Sequence, residues 1–109
     1  MTNGFDERQK SFEDKWAHDE TLRFKVEARR SKLLGLWAAG EMGLSGEAAQ
    51  TYAKSVVESD LSEAGPEDVF RKITADFGAK GIARTEHLIR TKMAELLEEA
   101  KKQVMHEAK

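Results

Sequence analysis

Between residues 22 and 39, large apolar side chains recur at helical spacing: Leu22, Val26, Leu33 and Trp37, with Leu34 widening the stripe. Arg23, Lys25, Arg29, Arg30 and Lys32 fall between them. Residues three, four and seven apart share one face of an α-helix, so this stretch predicts a long amphipathic helix with a wide apolar face and a basic one. Gly40 follows the last periodic residue, where a left-handed terminating residue is wanted. A stripe this wide has to be covered, and the chain beyond it reads as helices able to do so.

A chain of 109 residues makes one small domain with a limited core. Its 18 Lys and Arg against 20 Asp and Glu leave a net charge of −2, which argues against nucleic acid as the main partner. There is no cysteine, which excludes disulfides and thiolate metal sites. The single proline favours an all-α chain. No apolar run approaches the ~20 residues of a membrane span, so no direct membrane insertion is expected. The opening residues lack the basic start and apolar stretch of a secretory signal, so the default address is cytoplasmic.

Residues 1–18 carry only three large apolar side chains, Phe5, Phe12 and Trp16, among many charges. Alone, so polar a segment buries too little surface to offset chain ordering, and a flexible, disordered N-terminal arm is expected. In a helix, however, the three aromatics share a face. Such a stripe suits a segment that folds in a partner's groove, but also a helix that docks on its own domain, or a solvated tail.

Four helices are expected after the arm, at about 19–39, 46–60, 66–77 and 82–106, as a four-helix bundle spanning 19–107. Asp19 and Glu20 place acid at the first N-terminus. Ser45 is the expected cap of the second, with Ala49, Tyr52, Ala53, Val56 and Val57 on its buried face. Pro66 suits a first helical position, and Val69, Phe70, Ile73 and Phe77 line the third helix, ended by Gly78. Ile89, Met93, Leu96, Leu97, Ala100 and Val104 stripe the last, with Glu86–Arg90 and Glu98–Lys102 as i,i+4 pairs.

The residues give little sign of catalysis. His18, His87 and His106 are scattered, and Glu86–His87 lacks the second histidine of a helical zinc motif. Tyr52 reads as a packed phenol with a wet hydroxyl. The Gly78–Gly81 loop is too short for a phosphate cradle and reads as a helix–helix turn. No metal, cofactor or enzymatic activity is expected. ATP or ADP binding remains an alternative, with Arg29, Arg30 and Lys80 as its anion contacts.

The order of short segments adds a resemblance. Phe5-Asp6-Glu7-Arg8 with Phe12-Glu13, His18-Asp19-Glu20, Arg23-Phe24-Lys25, Ala28-Arg29-Arg30 and Gly35-Leu36-Trp37-Ala38-Ala39 carry it through the first third. Tyr52-Ala53-Lys54, Val56-Val57, Asp68-Val69, Arg71-Lys72 and Asp76 continue it. Over almost its whole length the chain resembles the alphaproteobacterial zeta-type ATPase inhibitor family. It departs from that family's usual Asn and Glu at Ser31 and Gly40. The resemblance implies a four-helix bundle whose N-terminal segment inhibits ATP hydrolysis by the F-type ATP synthase. The implied partners are the alpha, beta and central-stalk subunits of the catalytic head, which would bring the chain to the membrane only peripherally. Carried onto this sequence, it implies Phe5, Arg8, Phe12, Glu13 and Trp16 as the contacts of the arm. The alternative is a small cytoplasmic nucleotide- or protein-binding helical bundle.

Overall fold

Asp19 alone separates two helices. Its extended backbone (φ −100°, ψ 107°) stops the first, and its carboxylate accepts a hydrogen bond from the Leu22 N–H at 3.1 Å, capping the second. A computed structural model describes residues 4–62 and 66–107, with the side chains of 4–9, 17 and 60–62 left out. It contains α1 (Gly4–His18), α2 (Glu20–Glu41), α3 (Gly46–Ser62), α4 (Pro66–Ala79) and α5 (Glu86–Glu107). The expected four-helix bundle is therefore a fold of five helices. The segment expected to be disordered is helical from Gly4, and its Phe12 and Trp16 pack in an apolar groove on α2 and α5.

Two helix ends differ from expectation for one reason. α2 runs past Gly40, and Gly43 (φ 79°) is the left-handed residue, with the Leu44 N–H reaching the Ala39 carbonyl at 2.8 Å and the Gly43 N–H the Gly40 carbonyl at 3.1 Å. α4 likewise runs past Gly78 to Ala79, and Gly81 (φ 71°) is the left-handed residue, with the Ile82 N–H on the Phe77 carbonyl at 2.9 Å. Both are Schellman turns, in which a glycine free of Cβ crowding lets the chain satisfy the last helical carbonyls. Ile82 is therefore the apolar residue after the turn, not the start of α5. That helix begins at Glu86, and the Thr85 hydroxyl caps it by accepting from the Leu88 N–H at 3.0 Å.

α2 is covered on two sides, and this decides where the core sits. One cluster joins Leu34 and Ala38 to Val56 of α3, Val69, Ile73 and Phe77 of α4, and Ile89 and Met93 of α5. Trp37 meets Phe77 edge to face, with centroids 5.8 Å apart. The stripe of Leu22, Val26, Leu33, Leu34 and Trp37 is accordingly core or half-buried. The other side, which α3 covers, buries Ser31, Gly35 and Ala39 as well. Gly35 lies where the two helices meet: a Cβ built there would stand 2.7 Å from the Ala53 Cα. Backbone cannot yield as a flexible side chain does. Gly35→Val is expected to cost about 1–3 kcal/mol by overpacking, against a helix-propensity gain of only a few tenths. The denaturant midpoint reads this, and an unchanged midpoint would mean that α2 and α3 separate freely.

Expected surface pairs hold in part. Arg90 binds Glu86 at 2.8 Å as expected, and also reaches Glu67 of α4 at 2.9 Å while covering the Phe70 ring at 4.0 Å. Glu98 pairs with Lys101 at 3.1 Å rather than with Lys102, because Lys101 is drawn inward beside α1.

Candidate functional site

Of the arm residues singled out in the sequence, the structure places three together. Phe12 is buried against Val26 of α2 and Ala100, Val104 and Met105 of α5, with Trp16, Leu22, Leu33 and Leu97 packed around them. Lys101 holds the edge of this contact. Its ammonium lies 3.5 Å from Glu13, 3.1 Å from Glu98 and 4.9 Å from the centroid of the Trp16 ring. A cation shared by a carboxylate and an aromatic face fixes the register of α1 as well as adding attraction. Phe12, Glu13 and Trp16 are thus engaged by the chain's own bundle. The side chains of Phe5 and Arg8 lie outside the described residues. No sequence signal marked Lys101, which reads as one more exposed lysine of α5.

Among the described residues, this contact consists of one buried aromatic, one half-buried aromatic and one ion pair between Glu13 and Lys101. Burial of a phenylalanine contributes about 1.5–3 kcal/mol, and a partly exposed ion pair roughly 1 kcal/mol or less. A partner groove offering the same chemistry can compete for this helix face.

The anion contacts considered for nucleotide do not converge. Arg29 donates to both carboxylate oxygens of Glu107 at 2.5 and 2.7 Å and to Gln103 at 2.9 Å, which ties the end of α5 to α2. The hydrogen bond and charge of Arg29 hold the Glu107 carboxyl below its ordinary range. Arg30, expected on the basic face, is buried, and its Nε has no hydrogen-bond partner among the described residues. It belongs to the covered side of α2 because the apolar stripe continues on both sides of it at Val26 and Leu34. Lys80 sits at the other end of the bundle, beside a shallow pocket lined by Met42, Leu44 and Tyr52. The 13 residues from Arg29 to Met42 amount to roughly 20 Å along α2. His18, His87 and His106 are all exposed, and no cluster of metal-ligating side chains is found among the described residues.

Tyr52 is not wet. Its hydroxyl donates to Asp76 at 2.7 Å, and Lys72 reaches the same carboxylate oxygen at 3.1 Å, so the three tie α3 to α4. Burial, then the hydrogen bond to Asp76, pushes the phenol well above its ordinary value of 10.0. The folded protein keeps a proton that the unfolded chain releases. The resulting stability is whole below the unfolded pKa and is lost as pH rises above it. Between about pH 9 and 11 the parent is expected to lose more stability than Tyr52→Phe, read as the difference in denaturant midpoints. Parallel losses would show that the phenol does not contribute.

The family model for ATPase inhibitor subunit zeta matches residues 1–103. The chain belongs to the ATPase inhibitor subunit zeta family. It is a member of a regulatory family rather than an enzyme, and the family's implied partner is an ATP synthase. This zeta-family chain is also similar to a protein solved by solution NMR, at 48% identity and a TM-score of 0.69, over 79% of this chain and 98% of that one. No curated protein matches it. Among the described residues of this zeta-family member, no helix is long and apolar enough to cross a membrane.

Proposed function

We propose that the chain inhibits ATP hydrolysis by the catalytic head of the F-type ATP synthase, with α1 as the inhibitory element. α1 leaves its place on α2 and α5 and enters an interface of the alpha and beta subunits beside the central stalk. There it refolds or remains helical, with Phe12 and Trp16 filling apolar pockets and Arg8, Glu13 and neighbouring charges fixing its register. Phe5 extends the same aromatic face. A helix wedged at a catalytic interface blocks the conformational cycle that hydrolysis requires. The rest of the bundle stays outside as a handle.

The observation that carries this reading is the resting contact of α1. An amphipathic helix is joined to the bundle by one extended residue, Asp19, and held by aromatic and charged groups that another protein groove can replace. The test is hydrolysis by a purified alphaproteobacterial F-type ATPase, titrated with the full chain and then with a chain lacking residues 1–18. Inhibition that disappears with those residues supports the reading. Equal inhibition by both chains removes α1 from the mechanism, and no inhibition by either removes the function.

A further inference from the structure

The bundle carries a second surface, between α2 and α3. Where Gly35 lets α2 and α3 approach, a groove of about 370 Å³ lies open between them, lined by Lys32, Gln50, Ala53, Lys54 and Val57. Its floor is apolar, formed by Ala53 and Val57, and a lysine stands on each helix. Lys32 and Lys54 are exposed, and neither makes an ion pair among the described residues. Lys25, two helical turns before Lys32 on α2, is exposed and unpaired in the same sense. Arg29, between them, already has Glu107. Glu58, one turn beyond Lys54, makes no ion pair with it. Lys25 and Lys32 both add to the positive potential at Glu107, which places them on one side of the molecule.

An apolar floor between two unpaired cations selects a particular partner. A helix with small apolar side chains along one face fits the floor. Carboxylates flanking that face meet Lys32 on one wall and Lys54 on the other. A basic or uncharged helix offers neither lysine an ion-pair partner. We infer that this lysine-rimmed α2–α3 groove docks the bundle onto an acidic amphipathic helix of the ATPase head, and does so independently of α1. The inference rests on the proposed function for the identity of that partner. The α1 contact uses Phe12, Val26, Ala100 and Val104, none of which lines the groove, so both surfaces can be occupied at once. Two linked contacts make the second binding step intramolecular, and a weakly held inhibitory helix then works at a high local concentration.

The test uses the full chain and purified, immobilised alphaproteobacterial F-type catalytic head. Lys32→Glu with Lys54→Glu is expected to raise Kd about tenfold or more at low salt, with the effect shrinking as salt rises. Lys32→Ala with Lys54→Ala is expected to give a smaller rise in the same direction. Helix content should match the parent, since both side chains are exposed. Lys102→Glu, an exposed lysine of α5, is the control and should leave Kd unchanged. Inhibition at saturating concentration of the reversed variant should equal the parent's. A parent-like Kd for both double variants overturns the groove while leaving the function of α1 intact. Binding that the reversal weakens, in a chain that does not inhibit, leaves the groove standing and overturns the proposed function. A dimer of the chain that the reversal dissolves makes a second copy the occupant and overturns the inference. A parent that does not bind the head overturns both.

Discussion

Replacing Phe12 and Trp16 together with alanine is expected to abolish most inhibition of the F-type ATPase at concentrations where the parent is saturating. Each aromatic anchor of an interface is worth about 1–3 kcal/mol on truncation, so each single change should raise the half-inhibitory concentration roughly 5- to 150-fold. The measured value will be a difference. Phe12 anchors α1 to its own bundle as well as in the proposed complex, so Phe12→Ala weakens the resting contact and the bound one together. A bundle-side change separates the two. Lys101→Ala removes the partner of Glu13 and the cation over Trp16 without altering α1. It is expected to lower the half-inhibitory concentration a few-fold, because a resting contact worth roughly 1 kcal/mol no longer competes. If the two alanines leave inhibition untouched, α1 is not the element that binds.

Phe77→Ala is expected to produce the largest loss of stability of any single substitution in the bundle. Phe77 is the largest of the fully or almost fully buried side chains and lies where α2, α4 and α5 meet. Its removal deletes the edge-to-face contact with Trp37 and opens a cavity among Leu34, Ile73 and Ile89. Truncations of this kind cost about 3–5 kcal/mol, a large part of what a small domain has in total. Thermal unfolding followed by circular dichroism should show a fall of roughly 4–8 °C per kcal/mol for a domain of about this size. A change of only a few degrees would mean that neighbouring side chains collapse into the space.

Much of this core is written locally. The stripe Leu22–Trp37, the triplet Val69, Ile73 and Phe77, and the run from Ile89 to Val104 each declare a helix and its inner face by spacing alone, and all pack as that spacing requires. The limits appear where the deciding partner is distant in sequence. Arg30 looks like part of a solvated basic face until α2 is found covered on two sides. Lys101 looks ordinary until Glu13 and Trp16, more than eighty residues earlier, arrive beside it. By composition the N-terminal segment reads as too polar to fold by itself. What composition could not contain was the groove on α2 and α5 that lets it be a helix. Gly43 and Gly81 were missed for another reason. Gly40 and Gly78 are plausible stops one turn earlier, and the choice depends on how the last carbonyls are satisfied rather than on residue type.

The two apolar clusters share α2 and α5 but not one side chain. A bundle divided in this way opens in compartments. Amide protons of α1 should exchange with solvent through a small local opening that leaves Leu34, Ile73 and Phe77 closed, while amides in the middle of α2 wait for the whole molecule to unfold. A chain divided this way can release its first helix and reseat it without opening the fold that carries it.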